Sequence, residues 1–156
     1  MLKVLGFRPL QILILVLGEA LFVGGICGFV GSAIAERLRR EGHRVRVLVR
    51  STSPRGNVDP ADEVFVGDIL DRTSVAAAMK GTRYVIHAAA DYRLWAPSPD
   101  SIAQTNVEGT RIIMQEALRA GVEKIVYTSS VATFDLRNGG LSDETRPLPA
   151  EKADRK

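Results

Sequence analysis

The chain has 156 residues, 46% of them hydrophobic and 25% charged, enough to bury one core and within the usual size of a single domain. Its 21 Lys and Arg stand against 18 Asp and Glu, a formal charge of +3, and the basic residues are scattered rather than massed, which argues against a nucleic-acid partner. The single cysteine, Cys27, cannot close an internal disulfide and no Cys/His cluster has metal-ligand spacing, so the composition fits a reducing, cytoplasmic setting with no metal site.

Lys3 and Arg8 precede an apolar run from Leu10 to Leu17, and Gly18, Glu19 and Ala20 follow it, which is a signal-like profile. Gln11 and Glu19 interrupt that run, and it is short for a membrane span. Residues 1–20 are therefore expected to form an N-terminal extension, with a signal or a membrane anchor through residues 10–17 as the alternative. From Leu21 onward short apolar runs alternate with amphipathic stretches, the pattern of a parallel sheet with crossover helices. Leu21-Phe22-Val23 is the expected first strand, followed by a helix from about Phe29 to Glu41 with Val30, Ala33, Ile34 and Leu38 on its apolar side and Gly42 at its end. Val45 to Val49 gives the second strand, a Ser/Pro/Gly/Asn loop covers residues 51–60, and Val64-Phe65-Val66 is a short third strand. Asp71 is placed to cap a helix carrying Val75, Ala78 and Met79 and ending at Gly81. Tyr84 to Ala88 is the fourth strand. A long helix from about Ser101 to Ala120 presents Ile102, Val107, Ile113, Met114, Ala117 and Leu118, Gly121 ends it, and Lys124 to Thr128 is the fifth strand. Residues 135–156 turn polar and are expected to be loop or disordered tail, leaving residues 21–134 as the folded domain.

Gly25-Ile26-Cys27-Gly28-Phe29-Val30-Gly31 lies between the first expected strand and helix, the context in which a glycine pattern binds a dinucleotide. Gly25 lets the chain turn off the strand, Gly28 lets backbone approach a pyrophosphate at the helix N-terminus, and Gly31 permits close helix packing. At the end of the second strand an acidic residue would accept hydrogen bonds from a ribose 2′-hydroxyl, whereas this chain has Arg50, with Ser51, Ser53 and Arg55 nearby. That set suits a 2′-phosphate, so NADP is expected, with NAD as the alternative.

The glycine pattern, Gly67-Asp68-Ile69, His87-Ala88-Ala89-Ala90, Asn106-Val107-Glu108-Gly109-Thr110 and Tyr127-Thr128-Ser129-Ser130 together resemble an extended short-chain dehydrogenase/reductase of the NAD-dependent epimerase/dehydratase family. Ala89 to Trp95 and Ser129 to Thr133 are most similar to hopanoid-associated sugar epimerases and their dihydroflavonol reductase-like relatives. The resemblance runs from Leu21 to about Pro147. It implies a Rossmann-type doubly wound parallel α/β sheet, here cut off before its last strands. It also implies that Gly25, Cys27, Gly28, Phe29, Val30 and Gly31 hold the pyrophosphate. Asp68 and Ile69 would flank the adenine, Ala88, Ala89 and Ala90 would pass the ribose and phosphates, and Asn106 would steady the strand below the site. Ser130, with Ser129 as the register alternative, would hydrogen-bond a substrate carbonyl or alcohol. Two positions depart from the pattern: Cys27 replaces a small polar residue, and Gly24 stands where the family has Thr. His87, inside an apolar strand, reads as a core histidine rather than an acid/base group. Tyr92, Arg93 and Trp95 are expected in a substrate-facing loop.

The family reaction needs a tyrosine with a lysine four residues later, and none of Tyr84, Tyr92 and Tyr127 has one. Two expectations stay open. The chain is the cofactor-binding piece of an oxidoreductase or epimerase for a sugar-nucleotide-like or carbonyl/alcohol substrate, inactive alone, or it is a non-catalytic dinucleotide-binding module or gene fragment. A sheet lacking its last strands would leave an open edge, so self-association is expected.

Overall fold

The computed structural model describes residues 11–15, 29–91, 99–130, 133–135, 145 and 147–149. Along the chain these form β1 (Gln11–Leu15), α1 (Phe29–Arg40), β2 (Arg44–Val49), β3 (Glu63–Val66), α2 (Arg72–Met79), β4 (Tyr84–His87), α3 (Pro99–Arg119) and β5 (Lys124–Tyr127). The strands make one sheet in the order β3-β2-β1-β4-β5, every neighbouring pair parallel. Leu15 is level with Leu48 of β2 and with His87 of β4.

The central strand is where the structure departs from expectation. It comes from the apolar run of the N-terminal extension, and Leu21-Phe22-Val23 lies outside the described residues. The physical reason is that a slot flanked on both sides by parallel strands asks only for a short, near-continuous apolar run, and Ile12-Leu13-Ile14-Leu15 is one. The remaining elements follow their local signals. Asp71 caps α2, accepting hydrogen bonds from the N–H groups of Thr73 (3.0 Å) and Ser74 (3.3 Å). Gly42, Gly81 and Gly121, one after each helix, have φ of +83°, +72° and +69°.

Side chains alternate along the strands and build a core on each face of the sheet. Val45, Val47, Val49, Tyr84 and Ile86 pack with Ala35 and Leu38 of α1. Leu48 and Val85 pack on the other face with Val75, Ala78 and Met79 of α2 and Ile112, Ile113 and Ala117 of α3. The sheet is thus doubly wound. On α1, Val30 and Ala33 are exposed, and Ala35 and Leu38 take the buried positions. On α3, Val107 (70% exposed) and Leu118 (83%) face outward, contrary to the expected apolar side, because the helix is covered only along the stripe that meets α2 and β4. Arg46 is buried on the α2 side: it donates to the carbonyls of Ala78 (2.7 Å) and Lys80 (2.8 Å), pairs with Glu63 and lies over the Phe65 ring. It thereby satisfies carbonyls at the C-terminal end of α2. Beyond β5, Phe134 bridges antiparallel to Pro147, and Leu148 N–H donates to Thr133 O at 2.7 Å, so part of the expected tail returns to the domain.

Candidate functional site

Because all strands are parallel, their C-terminal ends share one edge of the sheet. Arg50 follows β2, Gly67-Asp68-Ile69 follow β3, Ala88-Ala89-Ala90 follow β4, and Thr128-Ser129-Ser130 follow β5. The chain leaves α1 and enters β2 within a few residues, with His43 N–H donating back to Leu38 O at 3.0 Å. α1 therefore runs against the strands, and its first residues, Phe29, Val30 and Gly31, lie toward that same edge. This edge, with β1 between β2 and β4, is the switch point at which open α/β sheets bind ligands. Of the expected pyrophosphate loop, Gly25, Cys27 and Gly28 lie outside the described residues, as do Tyr92, Arg93 and Trp95.

Arg50 is half-buried and starts a turn in which its carbonyl accepts the Ser53 N–H at 3.1 Å. Gly67 is required by close approach: a Cβ there would lie 2.4 Å from Cβ of Ser74. Ser74 Oγ in turn accepts the Asp68 N–H (3.2 Å) and donates to the Asp68 carbonyl (3.0 Å), while Asp68 Oδ1 accepts the Leu70 N–H at 2.8 Å. The Ile69 side chain is 1% exposed and lies against Gly109, so its backbone is what it can offer a ligand.

The segment after β4 is held from α3. Asn106 Oδ1 accepts the Asp91 N–H (2.6 Å), and its Nδ2 donates to the Asp91 carbonyl (2.7 Å). One helical turn on, Thr110 Oγ1 lies 2.9 Å from Nε2 of the fully buried His87. The Thr110 contact is absent from the sequence reading, although a polar residue four places from Asn106 on the same helix face was the available signal. Between these clamps Ala88 is half-buried, Ala89 buried and Ala90 exposed. Burial pushes the His87 imidazole down from its ordinary 6.5 to about 4, so it is neutral near pH 7. Ser129 and Ser130 are exposed, and the Ser130 carbonyl accepts the N–H (3.1 Å) and hydroxyl (2.6 Å) of Thr133. Among the described residues no group of three His, Cys, Asp or Glu could hold a metal ion, and no helix is long and apolar enough to cross a membrane. A cleft of about 430 Å³ lined by Arg39, His43, Arg44 and Glu63 opens at the opposite edge, where β2 and β3 begin. It is remote from the loops just described.

The doubly wound parallel sheet, with its glycine-bearing first crossover and small residues after β4, defines a Rossmann-type nucleotide-binding domain. The sequence profile of the NAD dependent epimerase/dehydratase family matches residues 21–153, and the chain belongs to that family. It is 39% identical over 139 residues to a Synechocystis protein provisionally named dihydroflavonol 4-reductase, a match covering 87% of this chain and 40% of that one. The crystal structure of gox2253 superposes with a TM-score of 0.74 at 46% identity, covering 91% of this chain and 41% of that one. The UDP-glucose 4-epimerase of Thermus thermophilus, solved in complex with NAD, superposes with a TM-score of 0.72 at 28% identity, covering 92% and 47%. The chain thus spans less than half the length of these relatives.

Proposed function

We propose that this chain is the cofactor-holding part of an NADP(H)-dependent oxidoreductase or epimerase that acts on a carbonyl or alcohol carbon of a sugar-nucleotide-like or related small substrate. The observation that carries the cofactor choice is Arg50, half-buried at the C-terminal end of β2 with Ser51 and Ser53 beside it and no carboxylate at that position. A guanidinium pairs with a 2′-phosphate where an acidic residue would pair with a 2′-hydroxyl. The other residues suit the same ligand. Gly25, Cys27, Gly28 and the α1 start at Phe29, Val30 and Gly31 would hold the pyrophosphate with backbone N–H groups. Asp68 and the Ile69 backbone would flank the adenine. Ala88, Ala89 and Ala90 would border ribose and phosphates without steric bulk, on a segment anchored by Asn106. When bound, the cofactor would supply or accept a hydride at its nicotinamide. Ser130, or Ser129, would hydrogen-bond the substrate oxygen at which a proton is exchanged.

No Tyr-x-x-x-Lys pair occurs in this sequence, so the chain alone would bind cofactor without turnover. The same observation favours a second reading, a dinucleotide-binding module with no reaction of its own. Adding the remaining segment of a longer relative in trans separates the two, since only the first reading gives turnover. The chain is read as cytoplasmic, its one cysteine needing no oxidising compartment, and as self-associating through its open sheet edges.

Titration with NADPH and NADH, followed by calorimetry, tests the cofactor assignment. The expected result is tighter binding of NADPH, with the preference lost in Arg50→Ala, a change of about tenfold or more for a charge-assisted phosphate contact. Equal binding of both cofactors by the native chain would overturn the choice of NADP, and binding of neither would overturn the dinucleotide reading.

A further inference from the structure

His87 is buried and its contacts reach α3, β5 and the segment that follows its own strand. Its Nδ1 lies 3.4 Å from the Ala89 N–H and accepts from it. Its Nε2 meets Thr110 Oγ1 at 2.9 Å. Its ring lies 5.1 Å from the Tyr127 ring of β5, and its carbonyl accepts the Thr128 N–H at 3.0 Å. A backbone N–H can only donate, so Nδ1 must be unprotonated. The ring is then neutral with its proton on Nε2, and Thr110 Oγ1 accepts the hydrogen bond from that N–H. Asn106 and Thr110 stand four residues apart, on one face of α3, and together clamp the chain from His87 to Asp91 at both ends.

We propose that His87, fixed in the Nε2–H tautomer by Ala89 and Thr110, is a positioning residue for dinucleotide binding, holding the Ala88–Ala90 segment in the course a cofactor needs. The inference rests on the dinucleotide-binding reading above. It assigns His87 no proton transfer. The ring works through the backbone: reversing its tautomer would set an Nδ1–H against the Ala89 N–H and force the segment to move. Losing the Thr110 hydroxyl would leave a buried ring N–H unpaired, which favours a shifted ring over the observed one.

The test combines nitrogen-15 NMR of the histidine side chains with NADPH titration of the full chain and two Thr110 variants. In the native chain the His87 Nδ1 resonance should be that of an unprotonated ring nitrogen near pH 7, with Nε2 protonated. Thr110→Val should weaken NADPH binding about tenfold, whereas Thr110→Ser, which keeps the hydroxyl, should bind within about twofold of native. A merely structural role would lower the melting temperature of Thr110→Val without separating Thr110→Val from Thr110→Ser in affinity per folded molecule. A protonated Nδ1 in the native chain overturns the proposal whether or not the valine variant folds. Native-like NADPH affinity in folded Thr110→Val overturns it while sparing the dinucleotide reading. If the native chain binds no nucleotide yet shows the expected tautomer, the dinucleotide reading fails and the positioning role fails with it.

Discussion

His87 gives a pH dependence whose sign follows from its burial. Its folded value, about 4, lies below the ordinary 6.5, so the unfolded chain takes up a proton first as pH falls. Stability is therefore intact above about 6.5, declines as pH drops toward 4, and levels off below, a loss of about 3 kcal/mol. Urea unfolding from pH 7.5 to 4 should show this slope in the native chain and lack it in His87→Gln. Glu116 and Glu108, both held below their ordinary 4.5, add to that slope only at its low end, so the fall between 6.5 and about 5 reports His87. Burial alone would raise Glu116, but the Arg72 and Arg119 guanidiniums hold it down, so its contribution persists above 4.5 and is lost below. Gly109 carries a second prediction. A methyl group there would meet Cδ1 of the buried Ile69 at 2.4 Å, and Gly109→Ala should lower stability by about 1–3 kcal/mol, read from the urea midpoint. Sequence reasoning at this scale finds residues whose role is local, such as the Asp71 cap, and places His87 inside the core. It misses Arg46, because a charged residue in an alternating strand reads as solvent-facing until the C-terminal carbonyls of α2 arrive over it. It also leaves open which way Ile69 points, since that is set by α3, far along the chain.

At the scale of elements, β2, β4 and the three helices were legible because apolar period, cap and terminal glycine agree within each segment. Faces were less so. Counting apolar residues places Val107 and Leu118 of α3 in the core beside Ile113 and Ala117, whereas packing against α2 and β4 keeps Ile113 and Ala117, adds Ile112 and leaves the other two outside. The first strand was the least legible, because two apolar runs suit one slot. Gln11–Leu15 occupies it, while the family match begins at Leu21 and the glycine pattern is built to follow a strand directly. Deleting residues 1–19 makes Leu21-Phe22-Val23 the sole candidate. The expected outcome is a chain that still unfolds cooperatively in urea and binds NADPH more tightly, its glycines now next to the strand. A truncated chain without a cooperative transition would mean that Gln11–Leu15 has no substitute and that residues 1–20 are integral to the sheet.

For the whole molecule, the sheet ends among the described residues at β3 and β5, each paired there on one side only. β3 carries Val64 and Val66 at 36% and 53% exposure, and β5 carries Tyr127 at 52%. Unpaired strand edges with exposed apolar side chains template pairing with another chain, and a formal charge of +3 offers little repulsion against it. Val107 and Leu118 lie eleven residues apart on α3, close to three helical turns, and so add an apolar stripe on one side of that helix. Two surfaces can therefore bring copies together, and substitution separates them. Val107→Glu with Leu118→Glu alters side chains that are 70% and 83% exposed and should change stability by less than about 0.5 kcal/mol. Sedimentation velocity across a dilution series should show the native chain associating with concentration. If the helix stripe carries the contact, the double variant moves to monomer. If the edges carry it, the double variant associates as the native chain does, and Tyr127→Lys on the β5 edge, or Val66→Lys on β3, disperses it instead. A native chain that stays monomeric throughout would show that both edges are already protected in solution.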